Sequence, residues 1–265
     1  MLEVKDIHKT FHLDNNPDND KHALQGVSLQ IDEGDFISVI GSNGSGKTTL
    51  LNSIAGLFPI DSGHIYLEDQ DITKKKDYQR AKYVGRVFQD PMQGTIAHMT
   101  LFENLSIASR RGQKQSPFKW ALSKNKREEF KQLLKSLELG LEDRLDTPVG
   151  TFSGGQRQAI TLLMASMSKP KILLLDEHTA ALDPKTAKKI MEITDKIVNE
   201  SKVPTLMITH NMKDAIKYGN RLIMMNEGKI IFECSGKDKE KLTVEDLVKL
   251  FSSIDEVPDS MLLSN

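Results

Sequence analysis

Residues 41–48 read G-S-N-G-S-G-K-T, a glycine-rich stretch that ends on a lysine and a threonine. An apolar run at 36–40 precedes it, and a helical pattern of apolar residues follows it. In this setting, successive backbone N–H groups and the positive end of the helix dipole point at phosphate oxygens. Lys47 is expected to reach the β- and γ-phosphates, and Thr48 to supply a hydroxyl to Mg²⁺. The sequence therefore predicts a site for a nucleoside triphosphate with its metal. The loop residues assigned to this ligand are Ser42, Asn43, Gly44, Ser45, Gly46, Lys47, Thr48 and Thr49.

A pair of acidic residues follows an apolar run at 172–177, which reads I-L-L-L-D-E. An apolar strand places Asp176 at its carboxyl end, where the carboxylate can hold the water shell of Mg²⁺. Glu177 lies one residue further, outside the strand, where it can orient or deprotonate an attacking water. For the motif alone, an ordinary strand end is the alternative. Its place downstream of the phosphate loop favours hydrolysis.

A second candidate anion site lies at 151–159, which reads T-F-S-G-G-Q-R-Q-A before a helical run. By the same backbone argument, Ser153, Gly154 and Gly155 at a helix start can receive phosphate oxygens. With this pattern the chain resembles the ATP-binding subunits of ABC transporters, whose signature is usually L-S-G-G-Q. Phe152 replaces the leucine, which is a conservative apolar change.

The resemblance extends in the family's order across residues 1–235. It implies an ATPase whose ligands are ATP and Mg²⁺ and which works as a homodimer. Each nucleotide then lies between the phosphate loop of one subunit and the signature of the second copy. The signature residues expected to act in this way are Ser153, Gly154, Gly155 and Gln156.

The resemblance also assigns roles to single residues. Gln89, in V-F-Q-D, corresponds to the glutamine that touches Mg²⁺ and signals to the membrane subunits, and Asp183 lies in the loop that joins the two active sites. His210, in M-I-T-H, corresponds to the histidine that contacts the γ-phosphate and steadies Glu177, although a histidine at a strand end is by itself more often a surface or core residue. Phe11, in K-T-F, corresponds to the aromatic residue that stacks on adenine.

Residues 176–184 read D-E-H-T-A-A-L-D-P, whereas the family more often has D-E-P-T. We expect His178 to be a structural variant, with tuning of Glu177 as the alternative. Together with Q-D-P-M-Q-G-T, this version resembles a bacterial importer subgroup whose permeases are similar to branched-chain amino acid permeases. The resemblance implies a peripheral subunit at the cytoplasmic face of the cell membrane. It implies permease partners, an extracellular substrate-binding protein as an indirect partner, and uptake of a solute such as an amino acid. The alternative is a soluble ATPase of the same type without a permease, such as an iron-sulfur cluster assembly ATPase.

Composition restricts the other classes of function. The 36 basic and 37 acidic residues give a net charge of -1, so no global field draws the chain to nucleic acid, and no nucleic-acid partner is expected. The single cysteine excludes a disulfide framework. The longest uncharged apolar-rich run, 159–168, is too short to cross a bilayer.

Short β-rich runs alternate with helical patterns along the chain, which predicts an α/β fold with a mainly parallel sheet. The predicted strands are 36–40, 83–88, 172–175, 205–209 and 222–225. Alternating apolar residues near the N-terminus predict an antiparallel β layer, and the helical pattern from 90 to 167 predicts an inserted α-helical subdomain. The expected divisions are 1–89 for the β layer and the first part of the phosphate-loop core, 90–167 for the signature subdomain, 168–235 for the second part of the core, and 236–265 for a helical tail.

Overall fold

The computed structural model describes residues 1–12, 19–112 and 124–255. A polar stretch at 14–20, whose sequence D-N-N-P-D-N-D predicts a turn, lies mostly outside these residues, and so does much of a basic stretch at 114–127 that contains Trp120. The strands are β1 (Leu2–Phe11), β2 (Lys21–Ile31), β3 (Phe36–Gly41), β4 (Ser62–Leu67), β5 (Gln70–Asp71), β6 (Val84–Val87), β7 (Ile172–Asp176), β8 (Thr205–Ile208), β9 (Arg221–Asn226) and β10 (Lys229–Ser235). The helices are α1 (Lys47–Ala55), α2 (Asp77–Arg80), α3 (Leu101–Ala108), α4 (Lys124–Lys135), α5 (Gly154–Met167), α6 (Pro184–Ser201), α7 (Met212–Lys217), α8 (Gly236–Glu240) and α9 (Val244–Asp255), with a 3₁₀ turn at Val149–Thr151.

A six-stranded sheet in the order β10-β9-β3-β8-β7-β6 forms the centre of the fold. Its strands are parallel except for β10, which pairs antiparallel with β9. Residues of β7 alternate between two hydrophobic cores, with Ile172 and Leu174 in one and Leu173 and Leu175 in the other. A strand covered on both faces must be apolar at every position, which is why β7 reads as a continuous apolar run. The predicted parallel α/β core is confirmed.

A second sheet, in the order β2-β1-β4-β5, is antiparallel. Leu2 pairs with Ile31 and Val4 with Leu29, and all four side chains are buried in the core that α1 shares with the central sheet. The antiparallel β layer predicted by the alternating pattern near the N-terminus is thus present, and it shares its core with α1 and the central sheet.

Helices α3, α4 and α5 pack on the other face of the central sheet. The sequence predicts a helical pattern from residue 90, but the structure has a turn there. Asp90 and Pro91 begin this turn, in which the Asp90 carboxylate accepts the Met92 N–H. The first helix begins after Thr100, whose hydroxyl and the Glu103 carboxylate satisfy each other's backbone N–H groups. The four-part division of the chain stays a prediction.

The last two helices of the described residues, α8 and α9, pack beside α7. Leu247 of α9 is buried against Ala215 of α7, and Thr243 begins α9 by exchanging hydrogen bonds with Asp246. Within the described residues, no helix combines the length and the apolar character that crossing a membrane requires.

Candidate active site

The glycine-rich loop connects the end of β3 to the start of α1. Gly44 and Gly46 have φ values of +83° and +99°, in the left-handed region that side chains disfavour. A Cβ added to Gly46 would lie 2.4 Å from the backbone oxygen of Ala23, so this position has no room for a side chain. The backbone therefore approaches β2 closely at the start of α1, where the positive end of the helix dipole lies.

Lys47 is held in place by backbone carbonyl groups of its own loop. Its Nζ donates to the carbonyl oxygens of Gly41 and Ser42, at 2.9 Å each. An ammonium group has three donors, so one is left without a partner among the described residues. Burial lowers the pKa of Lys47, and the nearby carboxylates of Glu177 and Asp176 oppose that shift. The ammonium is thus fixed with a donor to spare, as binding of a phosphate requires.

A cavity of about 140 Å³ lies on this loop. Its lining residues are Lys21, Ala23, Asn43, Gly44, Ser45, Gly46, Lys47, Thr48, Thr49 and Glu177. The Ser45 hydroxyl is buried and has no hydrogen-bond partner among the residues described. The orphaned hydroxyl, the ammonium group and the exposed backbone of the loop fit a polyanion. Ser42 differs from its neighbours, because its hydroxyl is directed to the Asn226 side chain at 3.3 Å.

Lys21 adds a charge that the motif does not predict. It lies at the start of β2, and its Nζ would be 3.6 Å from a Cβ added to Gly44. It pairs in register with Phe11 at the end of β1. The Phe11 ring packs edge-to-face on Phe58, with centroids 5.3 Å apart, and does not line the cavity. The structure therefore places Phe11 beside the loop cavity, on the strand next to Lys21.

Asp176 ends β7 and is paired with Arg86 of β6, whose Nη2 lies 3.5 Å from Oδ2. Burial raises the pKa of Asp176, and the positive charge of Arg86 opposes that shift. Among the described residues no cluster of three or more His, Cys, Asp or Glu side chains could hold a metal ion. One carboxylate beside a hydroxyl such as that of Thr48 nevertheless suits Mg²⁺, which takes most of its ligands from phosphates and water.

Glu177 and His210 form a direct pair. Nε2 of His210 lies 2.6 Å from Oε1 of Glu177, and Glu177 also lines the loop cavity. Glu177 has φ +45°, a left-handed conformation that costs a non-glycine residue about 1–2 kcal/mol. Its N–H donates to the Ile208 carbonyl at 3.1 Å, which ties it to the strand that leads into His210. Strain of this kind is concentrated at functional sites.

Gln89 lies two residues beyond the end of β6 and is exposed. Strands β6 and β7 are parallel, with Val87 opposite Leu175. The carboxyl ends of parallel strands meet at one edge of the sheet, and Gln89 therefore follows β6 at the edge where Asp176 ends β7.

The second anion motif begins α5. The Ser153 hydroxyl accepts the Gln156 N–H at 3.3 Å, and the Gln156 side chain accepts the Ser153 N–H at 3.2 Å, which is a capping box. A Cβ added to Gly155 would lie 2.1 Å from Cγ2 of Thr186 on α6. The second glycine of the motif is thus required for packing of α5 on α6, independently of any ligand.

Asp183 and His178 both attach the segment after Glu177 to α6. The Asp183 carboxylate caps α6 by accepting the Thr186 N–H at 3.1 Å. Nε2 of His178 lies 2.9 Å from the Thr194 hydroxyl, which itself donates to the Ile190 carbonyl. The histidine ring must therefore be the donor, and burial lowers its pKa to about 4.

Comparisons with known proteins agree with this geometry. A family model described as ABC transporter matches residues 24–180. "Tyrosine transport ATP-binding protein" of Clostridioides difficile (strain R20291) is 46% identical over 252 residues, which are 95% of this chain and 98% of the relative. "Phosphonates import ATP-binding protein" of Lactococcus lactis subsp. cremoris (strain SK11) is 30% identical over 94% of this chain and 99% of its own length.

Solved structures are similar as well. The ADP conformation of an ATP-binding cassette of an ABC transporter has a TM-score of 0.75 and 30% identity, and the match covers 97% of this chain and 99% of that one. A dimeric post-hydrolysis state of a second cassette, bound to ADP and Pi, has a TM-score of 0.73 and 29% identity, with 89% and 98% covered.

Proposed function

We propose that this chain, which belongs to the ABC transporter family, is the ATP-hydrolysing subunit of a membrane importer for tyrosine or a similar amino acid. The observation that carries the catalytic part is the 2.6 Å pair of His210 and Glu177 beside the loop cavity. Glu177 acts as the group that orients or deprotonates the attacking water. His210 contacts the γ-phosphate and holds the Glu177 carboxylate in position.

Binding of ATP is assigned to the loop. Its backbone N–H groups surround the phosphates, and the remaining donor of Lys47 reaches the β- and γ-phosphates. Mg²⁺ would be held by Thr48, by Gln89 and, through water, by Asp176, and it would neutralise charge on the phosphates. Phe11 stacks on adenine. The residues assigned to ATP are Phe11, Ser42, Asn43, Gly44, Ser45, Gly46, Lys47, Thr48 and Thr49.

A second copy completes each site. Ser153, Gly154, Gly155 and Gln156 of that copy cover the phosphates, and Asp183 lies in the loop between the two sites. Because of the charge on its phosphates, ATP binds the closed dimer more tightly than the open form. Hydrolysis and loss of phosphate remove this difference in affinity, and the dimer opens. The dimeric relative supports a homodimer. Ser153→Arg should leave ATP binding by a monomer intact and abolish hydrolysis, and full activity of that variant would exclude a shared site.

The permease is proposed to dock in a groove of about 480 Å³ between the end of β6 and helices α3 and α5. Gln93 and Ile96 line it from the segment that follows Gln89, and Ile107 and Met164 line it from the helical side. A short permease helix in this groove would move with Gln89, which joins docking to the nucleotide site. An extracellular substrate-binding protein delivers the solute to the permease.

The curated relatives named above carry transport or import in their names, and we therefore do not retain the permease-free alternative. The resulting placement is peripheral, on the cytoplasmic face of the cell membrane. The test is co-purification of a tagged chain with a polytopic membrane protein, followed by ATP-dependent uptake of labelled tyrosine into proteoliposomes. The Glu177→Gln variant is the control, since it should assemble without driving uptake. Purification without a membrane partner would contradict the importer.

A further inference from the structure

Arg86 occupies an unusual place between two features of the molecule. It lies in β6, its side chain is 12% exposed, and Nη2 pairs with the Asp176 carboxylate at 3.5 Å. The same side chain lines the groove between β6 and the helices. One guanidinium therefore touches both the carboxylate assigned to Mg²⁺ and the surface assigned to the permease.

The remaining donors of Arg86 are poorly satisfied. Its Nε and Nη1 are buried and have no hydrogen-bond partner among the described residues. The guanidinium carbon lies 4.4 Å from the centroid of the Phe88 ring, which also lines the groove. A buried charge with unsatisfied donors is unfavourable, and burial lowers the pKa of Arg86 accordingly. The pair with Asp176 therefore satisfies only part of the hydrogen-bonding capacity of this side chain.

The charged side chains that line the groove are all positive among the described residues. Arg86, Arg110 and Arg111 line it, and the part of the chain that the structure describes contributes no aspartate or glutamate to its lining. A helix that enters the groove meets arginine side chains beside apolar ones such as Ile96 and Ile107. The complementary occupant is a helix with an acidic side chain next to apolar residues.

We propose that Arg86 couples occupation of the groove to metal binding at Asp176. With the groove open, the guanidinium pairs with Asp176 and competes with Mg²⁺ for that carboxylate. An acidic side chain of the permease helix attracts the Arg86 guanidinium and draws it away from Asp176, and this movement brings the buried donors Nε and Nη1 to the acidic group. The carboxylate then becomes available to the metal, and the ATPase is favoured in the assembled transporter. This inference rests on the proposed function, since it takes the permease as the occupant.

The coupling must be reciprocal, because two ligands that act through one group change each other's affinity by the same factor. Permease binding should raise the affinity of the nucleotide complex for Mg²⁺, and Mg²⁺ should raise the affinity of the subunit for the permease by the same factor. Arg86 acts here as a positioning residue, and its test therefore uses metal affinity rather than turnover.

The first experiment titrates Mg²⁺ into the isolated subunit with bound mant-ADP and follows nucleotide fluorescence. Arg86→Met removes the competing charge and should lower the apparent Kd for Mg²⁺ by roughly three- to ten-fold, the effect of one charge near a divalent ion under strong screening. Arg86→Lys keeps the charge and should resemble the wild type. Arg127→Met is the matched control, because Arg127 lies away from the groove and pairs with Asp146.

The second experiment repeats the titration on the subunit bound to the permease that co-purifies with it. Permease binding should lower the apparent Kd for Mg²⁺ in the wild type and leave the apparent Kd of Arg86→Met unchanged. An equal or weaker Mg²⁺ affinity of Arg86→Met in the isolated subunit would overturn the competition, and an equal permease effect on both proteins would overturn the coupling. If no permease binds, the proposed function fails with the coupling, whereas the isolated-subunit titration still reports on Arg86 and Asp176.

Discussion

Mild acid should destabilise the folded protein, and part of this loss should come from protonation of His178. His178 is 2% exposed, and the ring donates to the Thr194 hydroxyl as a neutral group. Burial lowers its pKa from the ordinary value of 6.5 to about 4. Between these two values the unfolded chain binds a proton at His178 that the folded chain does not bind. Stability therefore falls as the pH falls through 6.5, and the loss is complete only below the folded-state pKa.

The size of the effect follows from the two pKa values. A difference of one pKa unit corresponds to about 1.4 kcal/mol. Lowering the pH from about 7 to about 5 should therefore remove about 2 kcal/mol from the free energy of unfolding. Further acidification below the folded pKa should bring the total loss from this residue to about 3 kcal/mol.

Urea unfolding of the wild type and of His178→Gln at the two pH values measures this contribution. Glutamine keeps a donor for Thr194 but does not titrate, so every other group that titrates contributes equally to both proteins. The variant should lose about 2 kcal/mol less than the wild type on acidification. Equal losses in the two proteins would show that His178 is protonated without cost, and the argument from its burial would be wrong.

Three further predictions concern the site and its packing. Lys47→Ala should lower the affinity for ATP at least about ten-fold in a fluorescence titration, since a hydrogen bond to a charged group contributes about 1.5–3 kcal/mol. An unchanged affinity would show that Lys47 does not bind the phosphates. Glu177→Gln should bind ATP and lower kcat by about 10²–10⁴-fold in a phosphate-release assay, and near-normal turnover would indicate another base. Gly155→Ala should cost about 1–3 kcal/mol in urea unfolding because its Cβ meets the Thr186 methyl group, and adding Thr186→Ser, which lacks that methyl, should restore most of the loss.

The place of the loop between β3 and α1 and of the two acidic residues at the end of β7 can be predicted from the sequence because both signals are local. The positive φ values at Gly44 and Gly46 favour glycine over other residues, and an apolar strand that ends at Asp176, with Glu177 directly after it, puts both carboxylates at one edge of the sheet. His210 was assigned by resemblance, and the structure brings it to Glu177 because β7 and β8 are adjacent parallel strands.

The residues that sequence reasoning missed depend on contacts between distant segments. Arg86 reads as an isolated basic residue in an apolar strand, and only the pairing of β6 with β7 places it on Asp176. Lys21 approaches Gly44 because β2 passes over the loop, which no local pattern indicates. The helical pattern from 90 predicts the first helix about ten residues too early, because Pro91 and Gly94 favour turns and α3, capped by Thr100, begins only at Leu101.

One helix, α6, contacts both the segment after the proposed catalytic residue Glu177 and the signature motif at the start of α5. His178, next to Glu177, donates to Thr194 in the third turn of α6, while Asp183 caps the first turn of the same helix. Gly155 of the signature packs on that first turn, so closely that an added Cβ would overlap Thr186. A displacement of α6 would therefore move the segment after Glu177 together with the start of α5. Because the signature is proposed to act on the nucleotide of a second copy, α6 connects, within one chain, the segment after Glu177 with the motif assigned to the other site.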